Sequence, residues 1–136
     1  MKVMMIVKAS RESEAGQMPG EELLAAMTKY NEELMRSGAL LDLSGLKPSS
    51  AGARVQWAGG KTRVIDGPFA EAKELIAGYW IIQVKSMEEA IEWARRVPFG
   101  DGGEVELRPF FELEDFGPSP SVDRARAIGD ELAKKK

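Results

Sequence analysis

Apolar residues in this chain change period several times, and each change marks an element. Over Lys2–Ala9 they alternate only loosely, with Val3, Met5 and Val7 on one face and Met4 and Ile6 on the other. A strand that is apolar on both faces is expected to be covered on both sides. Pro19-Gly20-Glu21-Glu22 then opens a helix, with acids in its first turn where they suit the helix dipole. Leu23, Leu24, Met27, Tyr30, Leu34 and Met35 form its apolar stripe, and Gly38 is placed to end it. Ala39–Leu46 reads as a second strand, closed by Lys47-Pro48-Ser49-Ser50. Ala53–Ala58 and Thr62–Ile65 flank Gly59-Gly60 as a hairpin. Gly78–Lys85 reads as the next strand, with Trp80, Ile82 and Val84 on one face and Tyr79 and Ile81 on the other. Ser86-Met87-Glu88-Glu89 has the form of a capping box. The helix it starts carries Ala90, Ile91, Ala94 and Val97 and ends at Pro98. Gly103–Leu113 closes the set as a strand.

A weak internal repeat organises these elements. Met5-Ile6-Val7-Lys8-Ala9-Ser10 is similar to Ile81-Ile82-Gln83-Val84-Lys85-Ser86, and each run is followed by a helix and a strand. Two βαβ-like units predict an α+β fold, a ferredoxin-like βαββαβ sandwich with both helices on one face of the sheet. Strands apolar on both faces then require a second cover. A second copy of the chain is the simplest one, so a homodimer with its sheet faces together is expected. From Gly117 the character changes. Gly117-Pro118-Ser119-Pro120-Ser121 reads as a linker. Val122, Ala125, Ile128 and Leu132 mark a short amphipathic helix, expected to dock, with Lys134-Lys135-Lys136 at its solvated end. The division expected is a domain over residues 1–114 and a linker with terminal helix over 115–136.

Composition removes several kinds of chemistry. The chain has no cysteine, which excludes thiolate nucleophiles and fits a reducing, cytoplasmic location. No signal peptide or membrane-spanning run is seen at the sequence level. It has no histidine either, so acid–base work would fall to Asp, Glu, Lys or Tyr. A metal site would need carboxylates and carbonyls; neither a metal nor a cofactor is expected. The net charge of −3 argues against a nucleic-acid partner.

The densest chemistry lies in Asp66-Gly67-Pro68-Phe69-Ala70-Glu71-Ala72-Lys73-Glu74. Asp-Gly-Pro has the residue types of a tight turn, and Ala70–Ile76 reads as a short helix. One reading is structural: Asp66 caps the segment, Phe69 plugs the core, and Lys73 and the glutamates are solvated. The other is functional. Asp66 acts as acid or base, Phe69 and Trp80 line a pocket between helix and sheet, and Lys73 and Arg108 hold a small anionic substrate. For Arg108 a buried salt bridge to Asp66 or Glu71 is an equal alternative.

The run DGPFAEAKE, followed by Gly78-Tyr79-Trp80-Ile81-Ile82 and later Glu106-Leu107-Arg108-Pro109, resembles the DGPF subgroup of the YCII-related family. The resemblance extends over Tyr30-Asn31-Glu32-Glu33-Leu34 with Gly38, Gly45-Leu46 with Pro48, and Ala90-Ile91-Glu92-Trp93-Ala94. It implies a dimeric α+β barrel of ferredoxin-like subunits. In such proteins a His–Asp pair has been proposed as catalytic, and a related member acts on chloromuconolactones. Here the family's histidine position falls near Met27, so that mechanism does not carry over, and Asp66 is not assigned as the pair's aspartate. Genes of the subgroup often lie beside those of extracytoplasmic-function sigma factors. Two functions are therefore expected. One is a small-molecule-binding protein, extending to a lyase-, isomerase- or dehalogenase-like enzyme using Asp66. The other is a non-catalytic regulatory or protein-interaction module.

Overall fold

The computed structural model describes residues 1–135 apart from the Lys73 side chain, so Lys136 lies outside the described residues. In chain order the elements are β1 (Lys2–Lys8), α1 (Arg11–Glu14), α2 (Glu21–Arg36), β2 (Leu40–Gly45), β3 (Ala53–Ala58), β4 (Lys61–Asp66), β5 (Ile76–Gln83), α3 (Met87–Arg95), β6 (Val105–Pro109) and α4 (Pro120–Lys134). One-turn 3₁₀ helices lie at Ser49–Ala51, Ala72–Glu74 and Leu113–Phe116.

Four strands form one antiparallel sheet in the order β2-β5-β1-β6, and β3 pairs with β4 in a separate hairpin. The register puts Met5 opposite both Trp80 and Leu107, and Met4 opposite both Ile81 and Arg108. Residues directly opposite share a face, and neighbours along a strand alternate. Val3, Met5, Trp80 and Ile82 therefore face one way, and Met4, Ile6, Tyr79 and Ile81 the other. Helices α2 and α3 lie on the first face. Tyr30 and Leu34 of α2, Ala90 of α3 and the four sheet residues make one buried cluster, to which Ile6 does not belong.

The helix ends follow from their sequences. Ser86 Oγ accepts the Glu89 N–H at 3.2 Å to start α3. The Glu89 carboxylate reaches one residue past the expected donor and accepts from Lys85 N–H at 2.6 Å. At the end of α2, Ser37 Oγ donates to the Leu34 carbonyl at 2.7 Å, and Gly38 turns the chain with φ of 83°. Only part of the expected α2 stripe faces inward. Met27, Tyr30 and Leu34 pack on the sheet, whereas Leu24 and Met35 lie off that line and are exposed.

Three elements have different bounds from the sequence reading, and the terminal helix packs differently. The short helix expected over Ala70–Ile76 is a single 3₁₀ turn at Ala72–Glu74, because Ile76 is already paired as the start of β5. One isolated turn lacks the length to propagate an α-helix. Consequently β5 runs over Ile76–Gln83 rather than Gly78–Lys85. The last strand is shorter than Gly103–Leu113: its bonding to β1 ends with the Phe110 N–H on the Lys2 carbonyl at 2.9 Å, where β1 begins, and Gly102 turns the chain before it with φ of 91°. Terminal helix α4 has no buried residue. It packs against the Leu113–Phe116 turn, through an Arg126–Glu114 ion pair of 3.6 Å, and leaves Ile128 and Leu132 exposed.

Tyr30 ties the helical layer together. Its ring meets Trp80 and Trp93 edge-on at 5.5 and 6.3 Å, and its hydroxyl donates to the Trp93 carbonyl at 2.8 Å. Burial pushes the phenol up from 10.0 to about 12, against the opposing pull of the Arg96 charge. Below pH 10 both folded and unfolded chains keep this proton. Between 10 and about 12 only the folded chain keeps it, so Tyr30 makes stability fall as pH rises through that window. Urea titrations of wild type and Tyr30→Phe at pH 8 and pH 11.5 test this. The variant is expected to lose about 0.5–1.5 kcal/mol at pH 8 with the hydrogen bond, and to show the smaller further loss at pH 11.5. An equal pH dependence in both proteins would refute the assignment.

Candidate functional site

The nine-residue motif is built around Ser49. Strand β4 ends at Asp66, paired with Ala53 at the base of the hairpin, and a cis Gly67-Pro68 bond follows. The Gly67 N–H donates to the Gly52 carbonyl at 3.0 Å. A Cβ on Gly67 would overlap the Ser49 carbonyl, so the close approach explains the glycine. The Phe69 N–H donates to Ser49 Oγ at 3.0 Å. Ser49 Oγ in turn donates to Glu14 Oε2 at 2.7 Å, and the Ser49 N–H donates to Glu14 Oε1 at 3.1 Å. Three segments far apart in sequence thus meet at one hydroxyl: the end of α1, the 3₁₀ turn after β2, and the motif.

Of the five nominated residues, the four whose side chains are described are not gathered into one site. Asp66 is exposed, and its carboxylate makes no hydrogen bond among the described residues, so it neither caps the turn nor sits in an apolar pocket. Phe69 is half-buried outside the main core, with the Arg54 guanidinium 3.7 Å from its ring centroid. It stacks under that cation instead of plugging the core. The Lys73 side chain lies outside the described residues. Trp80 is 3% exposed and packed under α2, where its Nε1–H donates to Asn31 Oδ1 at 2.8 Å. Arg108 is on the opposite face of the sheet from Trp80, because its register partner is Met4 while that of Trp80 is Met5. No single pocket between helix and sheet can be lined by both.

The partner of Arg108 is Glu106, at 3.2 Å, and not Asp66 or Glu71. Lys8 approaches the same carboxylate at 3.8 Å, with its side chain only 18% exposed. Lys8, Glu106 and Arg108 therefore form a small ion network on the face that also carries Met4, Ile6 and Tyr79. The Arg108–Glu106 pair is the more exposed of the two contacts, and exposed pairs contribute little stability.

A groove does lie between helix and sheet, at the edge formed by α3 and β6. Its volume is about 370 Å³. Ile91, Ala94, Val97, Phe99, Val105 and Leu107 make its floor and walls, with Arg95 and Glu104 at the rim. Gly103 closes against the Phe99 Cβ, which would lie 2.9 Å from an added Cβ. Asp66, Phe69, Trp80 and Arg108 all lie outside the lining. The groove was hidden in the sequence because Ile91, Ala94 and Val97 read simply as the inward stripe of a helix. Glu14 and Ser49 were hidden for another reason: nothing in their spacing links two polar residues 35 positions apart.

Among the described residues no three acidic side chains are grouped to hold a metal ion, and no helix is long and apolar enough to cross a membrane. The geometry defines a small α+β protein with an antiparallel sheet, a structural motif at the hairpin base and an apolar groove at the sheet edge. The chain belongs to the YCII-related domain family, whose profile matches residues 1–114. Helix α4 lies beyond that match. The chain is also 33% identical over 91 residues to an uncharacterized protein of Rhizobium meliloti (strain 1021), covering 65% of this chain and 73% of the relative.

Two substitutions separate structure from chemistry at the motif. Ser49→Ala removes the acceptor of the Phe69 N–H and the donor to Glu14, and is expected to cost about 1–3 kcal/mol. Asp66→Asn, at an exposed carboxylate, is expected to stay within about 0.5 kcal/mol. Chemical denaturation of the two variants beside wild type checks this. A larger loss from Asp66→Asn than from Ser49→Ala would reverse the roles assigned here.

Proposed function

We propose that this protein is a homodimeric small-molecule-binding protein of the DGPF subgroup, whose ligand lies in the α3–β6 groove. The supporting observation is the groove itself. Its volume falls in the range of ligand sites, about 300–1,000 Å³, and Ile91, Ala94, Val97, Phe99, Val105 and Leu107 line it as an open groove with Arg95 and Glu104 as its charged groups. The ligand class that fits is a small, largely apolar molecule with one anionic group directed at Arg95. Glu104 is the acidic residue at the rim, and it is exposed. Binding without turnover is therefore the better fit, and Asp66 has no part in it. Such a role suits a regulatory or accessory protein, as the subgroup's association with sigma factors implies.

The assembly belongs to the same proposal. The strand order β2-β5-β1-β6, with α2 and α3 on one face, supports a ferredoxin-like subunit. Met4, Ile6, Tyr79 and Ile81 give the other face an apolar centre, which supports closure of two subunits into a dimeric α+β barrel. The DGPFAEAKE run supports the subgroup.

A thermal-shift screen of a metabolite library on wild type, Ile91→Arg and Asp66→Asn tests the ligand site. Ile91 is 38% exposed, so the charge disturbs the groove more than the core. A ligand at 100 times its Kd stabilises the folded state by about 2.7 kcal/mol. The expected hit raises the melting temperature of wild type and Asp66→Asn and leaves Ile91→Arg unshifted. A hit that stabilises Ile91→Arg equally would move the site out of the groove. A hit lost only in Asp66→Asn would restore the motif as the binding site.

A further inference from the structure

The β3–β4 hairpin stands apart from the four-stranded sheet, so each of its strands is paired on one side only. Its ladder bonds fall on alternate rows. The Gly67 N–H donates to the Gly52 carbonyl, and rows two residues apart continue that pattern at Arg54–Ile65, Gln56–Arg63 and Ala58–Lys61. Thr62, Val64 and Asp66 therefore turn their backbone N–H and carbonyl groups outward along the β4 edge. Among the described residues, no backbone group of either strand bonds to backbone outside the hairpin. Every β4 residue except Ile65 is exposed.

The register also sorts the charges. Arg54, Gln56, Lys61 and Arg63 share one face, and Val55, Trp57, Val64 and Asp66 the other. The arginines of the first face are held by neutral groups. Arg63 donates to Gln56 Oε1 at 2.9 Å, and the Arg54 guanidinium stacks 3.7 Å from the centroid of Phe69. By contrast Arg36, Arg95, Arg96, Arg108 and Arg126 each meet a carboxylate at 3.0–3.9 Å. No carboxylate among the described residues pairs with Arg54, Lys61 or Arg63. A guanidinium positioned by a neutral group keeps its full charge and is already oriented for an anion.

We infer that the β4 edge captures an extended acidic segment of a partner protein as a third strand. Main-chain bonds to the outward groups of β4 supply attachment, and side chains at alternate positions select the partner. On the cationic face, the residues opposite Lys61 and Arg63 lie two apart along the added strand, about 7 Å, and are acidic. The residues between them turn to the other face, beside Thr62 and Val64, and are apolar. The segment recognised thus alternates acidic and apolar residues. Charge decides against two other occupants. A second copy pairing through the same edge would bring Lys61 and Arg63 against their own counterparts, and like charges facing each other across strands are destabilising. A nucleic acid would leave the edge N–H and carbonyl groups unused. It would also meet an acidic body, because the hairpin holds three cations against Asp66 alone in a chain of net charge −3. The inference is independent of the groove ligand and of the homodimer.

The test follows fluorescence anisotropy of a labelled peptide, Gly-Glu-Val-Glu-Val-Glu-Gly, titrated with the full chain. Saturable binding is expected, and the peptide with lysine in place of glutamate is expected not to bind. Two further peptides carry methylated backbone nitrogens, one at the glutamates and one at the valines. Only one set of nitrogens faces β4, so one of the two is expected to bind about tenfold more weakly, a loss of about 1.4 kcal/mol, while keeping every charge. Arg63→Glu is expected to lose the acidic peptide and gain the lysine one. Absence of saturable binding up to millimolar protein overturns the inference. Weakening by neither methylated peptide overturns strand addition, and undiminished binding of the acidic peptide to Arg63→Glu moves the contact off this face. A DNA oligonucleotide that displaces the labelled peptide at lower concentration than the unlabelled peptide does assigns the cations to nucleic acid and overturns it as well. The peptide comparisons use the wild-type chain, so they decide the question even if Arg63→Glu misfolds. Ile91→Arg is expected to bind the peptide as wild type does, which separates failure of this inference from failure of the groove.

Discussion

The junction of Trp80, Tyr30 and Trp93 holds this molecule together. Large aromatic side chains bring much apolar area into a core, but tryptophan and tyrosine also bring a polar group that must find a partner there. Here each one does. Trp80 Nε1–H is taken by Asn31 on α2, and the Tyr30 hydroxyl by the Trp93 carbonyl on α3. The same atoms that fill the helix–sheet layer therefore also lock β5, α2 and α3 in relative position. That layer is filled beneath β5, and the α3–β6 groove lies beside it, walled by smaller side chains such as Ala94, Val97 and Val105.

The motif illustrates how charge density can mislead. Four ionisable side chains in nine residues invite a catalytic reading, yet the contacts that define the turn are made by its backbone. The Gly67 and Phe69 N–H groups are the ones satisfied, one by a carbonyl and the other by Ser49 Oγ. Buried or half-buried backbone donors carry a real penalty when unpartnered, whereas an exposed carboxylate costs almost nothing to leave alone. Selection for a stable turn at the hairpin base is enough to account for Gly67 and for the Ser49–Glu14 pair.

Much of the architecture was legible in the sequence because it depends on local periodicity. The alternation of Val3, Met5 and Val7 against Met4 and Ile6 correctly assigned the faces of β1, and Gly59-Gly60 marked the hairpin turn. Ser86 and Gly38 marked helix ends through their own chemistry. What failed were particular contacts between distant segments. Ala70–Ile76 has helical composition but lost to the pairing of Ile76 with β1. Arg108 found Glu106, two residues away on its own strand, rather than the distant acids a pocket would have needed. Sheet parity alone would have separated Trp80 from Arg108, had the order of the strands been known. The Glu14–Ser49 contact is a tertiary event with no periodic trace.

The remaining apolar surfaces pose one physical problem with a shared origin. A chain of 136 residues buries a smaller fraction of its surface than a larger domain does, and this one spends residues 53–66 on a hairpin outside the main sheet. The hairpin and α4 each carry an apolar side, and the central strands are apolar on both faces. They differ in what the chain already provides. Helix α4 has a charged anchor in Glu114 and a fifteen-residue length that can hold helical hydrogen bonds on its own. The sheet's second face is half-covered. The hairpin is held at its base, where the Gly67 N–H donates to the Gly52 carbonyl and Arg54 stacks on Phe69, while its strands pair only with each other. A two-stranded element with so few contacts to the rest of the fold belongs to the low end of local stability, below the four-stranded sheet.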